Sequence, residues 1–281
     1  MMVGFFTQAR KQLHLHMLAG LIRVNERGVP NFADGSSVLS SSIAREMLLL
    51  LKGKAGIGSL TAQTAGLVFE DLCLSFLRDC FAKITHLRPG KWVFSRNLSI
   101  AGFEQYKHLL ELEHLAALHP ELATALGGNY IIKPDIVIFR EPEEDDEINR
   151  EAPIVDGESA GRTVLRKVNG GGSILHASVS CKWTLRSDRS QNSRTEALNL
   201  IRNRKGHLPH IVAVTAEPMP SRIASIALGT GDMDCVYHFA LRELKEAIER
   251  IGSEDSSELI RTMIEGNRLK DISDLPLDLA V

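Results

Sequence analysis

Hydrophobic positions in the first part of the chain recur mostly at helical spacing. Apolar residues three and four apart predict helices at about 5–21 and 41–51. The intervening loop at 25–38 is predicted from its glycines, its proline and its paired serines. A broad apolar stripe predicts a longer helix at about 64–87, whose apolar face consists of Leu67, Val68, Leu72, Phe76, Leu77 and Phe81.

The rest of the chain alternates short apolar runs with helical patterns. Strands are predicted at 91–100, 129–139, 173–183, 210–216 and 234–239, and helices at 102–126, at 189–204 and twice near the C-terminus. Strands that alternate with helices predict an α/β fold, in which helices flank a mixed central β-sheet. We expect one domain over 1–281.

The segment 141–172 lacks periodicity and is too long for an ordinary connection between elements. It begins with an acidic stretch and ends at Gly170-Gly171-Gly172. Two interpretations remain open, a disordered insertion and an interaction arm. We therefore expect a flexible loop or an oligomerisation loop here.

Composition and total charge are those of an ordinary folded protein, whereas the local charge is uneven. The 281 residues are 44% hydrophobic and 24% charged, with a formal net charge of −2. The segment 182–205 alone sums to about +5, which suits a surface that faces phosphates, although a solvated helix face would also explain it. Its charged residues are Lys182, Arg186, Arg189, Arg194, Arg202, Arg204 and Lys205, with Asp188 and Glu196 opposing them.

The cysteines and the N-terminus indicate a cytoplasmic protein. The spacing of Cys73, Cys80, Cys181 and Cys235 matches neither a zinc site nor a disulfide framework, so we expect free thiols in a reducing compartment. Charged residues interrupt the N-terminal segment too early for a signal peptide. No apolar run approaches the ~20 residues that a membrane-spanning helix needs.

An aspartate and a lysine lie in two of the predicted strands. Asp135 belongs to the segment 133–139, and Lys182 belongs to the segment 178–183. A charge in a strand is costly to bury unless it has a partner or a function. An aspartate and a lysine on neighbouring strands, beside further carboxylates, can hold Mg²⁺ and direct water onto a phosphodiester. The pattern indicates a metal-dependent nuclease; a structural salt bridge between strands is the alternative.

The lysine strand also predicts how its side chains are arranged. Ser180 and Lys182 share one face because side chains alternate along a strand, and the Cys181 side chain points away while its main-chain carbonyl can reach a metal. Serine occupies the position where a second carboxylate would be expected. Glu196, in the helix that follows the strand, and Glu70, in the long preceding helix, are the candidates for that carboxylate.

Directly after the lysine strand comes the tetrapeptide Arg186-Ser187-Asp188-Arg189. Arginine donates two hydrogen bonds to guanine O6 and N7, and a carboxylate can accept one from cytosine N4. The segment therefore has the groups needed to read adjacent G·C and C·G pairs in the major groove. Asp188 could instead, or in addition, act as the N-cap of a helix that begins at Arg189.

Together, the segments Pro134-Asp135, Ser180-Cys181-Lys182 and Arg186–Arg189, with Glu196, make the chain resemble a known enzyme family. It is similar to the CCGG-cutting, type IIF group of type II restriction endonucleases in the PD-(D/E)xK nuclease superfamily. The resemblance covers nearly the whole chain, and further stretches that carry it are 33–36, 208–231 and 268–279.

The resemblance implies a restriction-endonuclease-like core and a catalytic centre that uses Mg²⁺, with two ions per active site. Asp135 and Lys182 would be the motif residues, with Ser180 at the usual acidic position. Glu196 would take over the role of that carboxylate, and Glu70 would be an additional acidic residue. The implied metal ligands are Asp135, Glu196 and the main-chain carbonyl of Cys181.

The resemblance also implies a DNA site and an assembly. Arg186, Asp188 and Arg189 would read the central CCGG, while Ser36 and Gln63 would contact the outer base pair of GCCGGC. Cleavage would leave four-base 5′ overhangs with 5′-phosphates. The implied partners are double-stranded DNA, a second copy of the chain in a homodimer that pairs into a homotetramer, and, functionally, a DNA methyltransferase that protects the host.

Two other functions are compatible with the sequence. One is a different nuclease on the same core, such as a repair or junction-resolving enzyme, which would cut by structure rather than by sequence. The other is a catalytically silent DNA-binding protein, which would be indifferent to Mg²⁺. The set of carboxylates and lysine argues against the second, since a pure binder gains nothing from acidic groups that face phosphates.

Overall fold

A computed structural model describes residues 3–121, 124, 130–185, 187–229 and 231–281, with side chains except at 187–190. The strands are two to nine residues long, and those at 92–96, 136–140 and 210–215 consist largely of β-branched and aromatic residues. The strands of this part are β1 (Arg23–Val24), β2 (Gly56–Ile57), β3 (Trp92–Arg96), β4 (Ile136–Arg140), β5 (Ile174–Lys182), β6 (His210–Thr215), β7 (Cys235–His238) and β8 (Leu269–Asp271).

Six of these strands form a single mixed sheet in the order β3-β4-β5-β6-β7-β8, whereas β1 and β2 pair with each other in parallel. Strand β3 is antiparallel to β4, with Trp92 opposite Arg140. Strands β6, β7 and β8 are parallel, and Val236 of β7 lies between Ala213 and Leu269. The mixed sheet, together with the helices around it, confirms the predicted α/β class.

Two of the helices begin where a polar side chain satisfies an exposed backbone N–H group. The Ser37 hydroxyl accepts from the Ser40 N–H, and the Thr61 hydroxyl accepts from the Thr64 N–H. The described α-helices are α1 (Phe5–Gly20), α2 (Val38–Leu50), α3 (Ala62–Phe81), α4 (His108–Leu118), α5 (Asp145–Ile148), α6 (Ser187–Asn203), α7 (Pro220–Ala227), α8 (Leu241–Ile251), α9 (Glu254–Glu265) and α10 (Leu275–Asp278). None of the helices in the described ranges is long and apolar enough to cross a membrane.

Strand β5, which carries the predicted lysine, is buried over most of its length. Every residue from Leu175 to Cys181 is buried, and only the two ends are partly exposed. Continuous burial is expected of a strand inside a sheet that is covered on both faces. The lysine at the end of β5 is therefore placed where the strand emerges from the core.

Contacts divide the chain into two compact units. The first unit comprises Met1–Ile84, Val179–Arg194 and Ile211–Val281, and the second comprises Thr85–Ser178 and Thr195–His210. In the first unit, Trp183 packs against Phe32 and Phe69, with ring centroids 5.8 Å and 5.2 Å apart. This aromatic cluster holds the chain in the core immediately after β5. The predicted single domain stays a prediction.

The second unit is held together by hydrogen bonds from the segment that precedes α4. The Gln105 side chain donates to the Leu175 carbonyl at 2.7 Å and accepts from the Leu175 N–H at 3.0 Å. The Tyr106 hydroxyl donates to the Leu200 carbonyl at 2.9 Å, which attaches the C-terminal half of α6. Because both side chains are buried, these bonds replace water contacts and fix the helix against this segment.

The segment 141–172 is organised around the buried Arg166 guanidinium. It donates to both carboxylate oxygens of Asp145, at 2.9 Å and 2.6 Å, and to the Asp156 carbonyl at 2.9 Å. The Asn149 side-chain oxygen accepts from the N–H groups of Ile154 and Val155. These contacts lie within the segment itself, and its role in assembly stays a prediction.

Several predicted element boundaries were wrong. Strand β4 begins at Ile136 rather than at 129. Pro134, two residues before this start, has no N–H to donate to a neighbouring strand. The long helix α3 ends at Phe81 rather than at 87. Helix α4 begins at His108, after a 3₁₀ turn at Ile100–Gly102, rather than at 102. Helices α5, α7 and α10 and strands β1, β2 and β8 were not predicted.

Candidate active site and recognition segment

Lys182 is the last residue of β5 and lies in the first unit. Its main-chain carbonyl accepts from the Thr215 hydroxyl at 2.8 Å and from the Ala216 N–H at 3.3 Å. The end of β5 is thus tied to the end of β6, while the Lys182 side chain is partly exposed. Because the main chain is held in this way, the Lys182 side chain starts from a fixed backbone position at the edge of the core.

Ser180 precedes the lysine by two residues and is buried. Its hydroxyl lies 3.4 Å from the hydroxyl of Ser193, a fully buried residue of α6. A hydroxyl adds no negative charge, so this position offers hydrogen bonding where a carboxylate would offer a metal ligand. The negative charge of a metal site has to come from other residues.

The thiol prediction is confirmed, since all four cysteines lie in the described part of the chain, are buried and form no disulfide. Burial raises the pKa of the Cys80 thiol to about 12 and that of Cys235 to about 11. A buried, protonated thiol is a poor metal ligand and a poor nucleophile. Because Mg²⁺ prefers oxygen ligands, Cys181 would contribute to such a site through its main-chain oxygen.

The predicted carboxylates lie at three separate places along the fold. Asp135 forms a bend directly before β4, Glu196 lies in α6 and Glu70 lies in the middle of α3, and all three are partly exposed. Asp135 and Glu196 belong to the second unit, whereas Glu70 belongs to the first. Strands β4 and β5 are neighbours in the sheet order, but the convergence of these side chains with Lys182 stays a prediction.

The recognition segment coincides with the start of α6. Arg186 lies outside the described residues, and the side chains of Asp188 and Arg189 are likewise outside the described part. Helix α6 begins at Ser187, two residues earlier than predicted. Asp188 therefore lies inside the first turn, and the alternative that made it the N-cap of a helix beginning at Arg189 was wrong.

Part of the local positive charge stabilises the fold instead of facing solvent. The Arg194 guanidinium donates to the Leu228 carbonyl, close to Gly229. A Cβ at Gly229 would lie 2.7 Å from this guanidinium. Gly229 also has a φ of +130°, a backbone conformation that residues with a side chain rarely adopt. Arg204, directly after α6, donates to the Ile201 carbonyl but is exposed. Arg194 is thus a member of this basic segment whose guanidinium packs against the fold.

The two predicted outer-pair residues are both exposed. Gln63 lies in the first turn of α3, and Ser36 lies in the loop before α2. The Asp34 carboxylate accepts from the Ser36 N–H at 3.0 Å and from the Ser36 hydroxyl at 2.6 Å. These hydrogen bonds, together with the ion pair to Arg222, hold the pKa of Asp34 well below its usual range. Ser36 is consequently presented from a defined turn.

One buried acidic residue was missed as a functional candidate. Glu217 follows β6 and is fully buried. Burial raises its pKa to about 7, although hydrogen bonds from the N–H groups of Leu185 and Met219 and the charge of Arg222 act in the opposite direction. The available signal was a lone acidic residue directly after an apolar strand, since a buried carboxyl needs a reason to be there.

Comparison with known proteins gives consistent results. A family model described as NgoMIV restriction enzyme matches residues 13–281. Type II restriction enzyme NgoMIV of Neisseria gonorrhoeae is 52% identical over 282 residues, which cover 98% of this chain and 99% of that protein.

The solved structures found by comparison are more distant. Type IIF restriction endonuclease Bse634I with cognate DNA is 14% identical with a TM-score of 0.38, covering 89% of this chain and 86% of that one. A restriction endonuclease PspGI complex with substrate DNA is 13% identical with a TM-score of 0.28, covering 98% and 89%. At these values the likeness adds nothing about chemistry.

Proposed function

Because the chain belongs to the NgoMIV restriction enzyme family and is therefore a type II restriction endonuclease, we propose that it cleaves double-stranded DNA at GCCGGC. The predicted family and enzyme class are thereby confirmed. The observation that carries the proposal is the 52% identity to the gonococcal enzyme over nearly the full length of both chains. In the proposed reaction, cutting after the first G leaves four-base 5′ overhangs with 5′-phosphates.

Restriction endonucleases generally use a divalent metal ion, and the proposed ion is Mg²⁺, two per active site. The donor set fits this ion, because Asp135 and Glu196 offer carboxylate oxygens and Cys181 offers a main-chain oxygen. Within the described ranges, no three His, Cys, Asp or Glu side chains form a group that could hold a metal. The proposed set contains only two carboxylates, so water and DNA phosphate would complete the coordination.

The protein groups have distinct proposed roles in the cleavage step. Bound metal would supply charge stabilisation and a more acidic water. Lys182, projecting from the anchored end of β5, would orient the attacking water and donate to the scissile phosphate as negative charge develops. Ser180 would support this face of the strand through its hydroxyl, and Glu70 would add a further acidic group.

Sequence reading is assigned to the start of α6 and to two exposed positions outside it. Arg186, Asp188 and Arg189 would contact the edges of the central CCGG, because arginine pairs with guanine and a carboxylate with the cytosine amino group. Ser36 and Gln63 would contact the outer G·C pair. A palindromic target predicts a two-fold symmetric dimer, with one active site per strand. We propose further that two such dimers assemble into a homotetramer. We also propose that a DNA methyltransferase protects the same sequence in the host.

Plasmid digestion tests the proposal directly. Supercoiled substrates with no, one and two GCCGGC sites should be incubated with and without Mg²⁺, and the ends should be sequenced. We expect cleavage only with the metal and only at that sequence, and faster cutting of the two-site plasmid if two dimers act together. Cutting at other sequences or at branched structures would favour a different nuclease, and DNA binding without any cutting would favour the silent binder.

Removing one base-reading side chain should weaken specific binding without unfolding the protein. We expect Arg189→Ala to lose about 1–3 kcal/mol of binding free energy for each base contact that is lost. Non-cognate DNA should bind with nearly unchanged affinity, because phosphate contacts dominate it. Competition binding with cognate and scrambled duplexes measures both quantities, and a variant that still binds and cuts GCCGGC normally would contradict the role of Arg189.

A further inference from the structure

Glu217 is a fully buried acid whose oxygens both accept main-chain hydrogen bonds. One oxygen accepts from the Leu185 N–H at 2.7 Å, and the other accepts from the Met219 N–H at 3.2 Å. Its own N–H donates to the hydroxyl of Thr215, the residue that also holds the Lys182 carbonyl. The carboxyl therefore ties the segment after β5 to the segment after β6.

The same carboxyl is linked to the loop before α2 through an arginine. The Arg222 guanidinium, in the first turn of α7, lies 3.8 Å from a Glu217 oxygen and forms an ion pair with Asp34. Asp34 in turn accepts both the N–H and the hydroxyl of Ser36. A continuous set of contacts thus runs from Ser36 to Leu185, and all of it lies in the first unit.

Both ends of this network adjoin positions that the proposed function assigns to DNA reading. Leu185 directly precedes the Arg186–Arg189 segment, and Ser36 is itself one of the outer-pair positions. We propose that Glu217 is a positioning residue for sequence recognition, one that fixes the main chain at Leu185 and the Ser36 loop in a single arrangement. This inference rests on the proposed function for its DNA target.

A carboxylate suits this task better than the isosteric amide. Two acceptor oxygens satisfy two N–H donors, whereas a glutamine has one acceptor oxygen and would turn its NH₂ group towards the second donor. Protonation has a similar effect, because it converts one acceptor into an O–H donor. Since burial raises the pKa of Glu217 to about 7, the arrangement is expected to be complete only above neutral pH.

The charged and titratable groups that face Glu217 are Arg222, Asp34 and His238. Arg222 favours the ionised form of Glu217, while Asp34 opposes it. The His238 ring is fully buried and faces the main chain of Glu217, and burial lowers the pKa of His238 to about 4. His238 therefore stays neutral across the range in which Glu217 titrates, and a pH dependence near neutrality can be assigned to Glu217 by substitution.

The test compares the full-length protein with Glu217→Gln and with a matched control, Glu246→Gln, which makes the same change on the exposed face of α8. Affinity for a GCCGGC duplex is measured with Ca²⁺ in place of Mg²⁺, at about pH 6 and about pH 8.5, on either side of the Glu217 pKa. Thermal unfolding is recorded for each protein under the same conditions.

We expect Glu217→Gln to bind about tenfold more weakly than the native protein at the higher pH, because hydrogen bonds to a charged acceptor are lost. The ratio of the native affinity to the Glu217→Gln affinity should fall several-fold from the higher to the lower pH. The thermal unfolding midpoints of the two proteins should stay close to each other. Glu246→Gln should behave like the native protein. A second variant, Glu217→Asp, keeps the charge but is one methylene too short to reach Leu185, and should also bind weakly.

Several outcomes would overturn the inference. One is native affinity in both Glu217 variants. Another is the same pH profile with and without the carboxyl. A third is a loss of affinity that only follows a loss of folded protein, which would make Glu217 merely structural. A native protein that shows no preference for GCCGGC would instead refute the proposed function, so the two failures are distinguishable.

Discussion

Lys182→Ala is expected to lower the rate of DNA cleavage by about 10³-fold or more, the range seen when a proton-transfer group or a charge-stabilising donor is removed. The lysine carbonyl is held by Thr215 and Ala216 at the end of β5, so the main chain should keep its position when the side chain is shortened. Specific DNA binding should be largely retained, because the residues assigned to base reading are unchanged.

Single-turnover cleavage with excess enzyme separates the chemical step from binding. Lys245→Ala is a suitable control, since that lysine is exposed on α8 and its removal also costs one positive charge. Asp135→Ala should reproduce the effect of Lys182→Ala by removing a proposed metal ligand. Full cleavage by either of the two site variants would refute the assigned catalytic centre.

Arg10→Ala should cause the largest loss of stability. The Arg10 guanidinium, only 9% exposed, donates to both oxygens of Asp271 and to both oxygens of Glu243, at distances from 2.5 to 3.1 Å. Without it, the buried Asp271 carboxylate and the partly buried Glu243 carboxylate would lose the cation that they share. We expect the free energy of unfolding to fall by about 3–5 kcal/mol, as is typical when one partner of a buried ion pair is removed.

The pH dependence of this loss has a definite sign. Burial alone would raise the pKa of Asp271, but the hydrogen bonds and charge of Arg10 outweigh it and hold the pKa below its usual value. In Arg10→Ala that compensation is gone, so the folded-state pKa values of Asp271 and Glu243 rise above those of the unfolded chain. The variant should therefore lose stability as pH rises through the raised values, and the deficit should be smaller in mild acid.

Urea denaturation at several pH values measures this effect. The control is Arg250→Ala, because Arg250 forms exposed pairs with Glu246 and Glu46. Exposed pairs contribute about 0–1 kcal/mol, so the control should be nearly as stable as the native protein. A loss of the same size in both variants would contradict the special role given to the Arg10 cluster.

The long, strongly patterned elements could be predicted from the sequence. Helix α1 follows the predicted range within one residue, and β5 begins one residue after the predicted start, because their apolar patterns extend over several turns or pleats. Strand β8, with three residues, and helix α10, with four, are too short to show a period. They are defined by tertiary contacts such as the pairing of Leu269 with Val236.

In the candidate site, too, patterns within one strand could be predicted, whereas contacts between residues far apart in the chain could not. Ser180-Cys181-Lys182 could be recognised because alternation along one strand fixes which side chains share a face. Glu217 could not be recognised in this way, since its role depends on the N–H of Leu185, 32 residues earlier in the chain. The proposed convergence of Asp135, Glu196 and Lys182 depends on long-range packing, so the strand and helix patterns could name these residues as candidates without fixing the distances between them.

The buried thiols allow local opening of the folded enzyme to be measured by chemical modification. Because Cys181 and the other three cysteines are buried in the folded protein, an alkylating reagent can reach them only when the surrounding structure opens. Mass spectrometry of each cysteine peptide over time would then give a local opening rate for each region. Cys181 lies next to Lys182, so the alkylation rate of Cys181 would measure how often the end of β5 at the proposed active site opens.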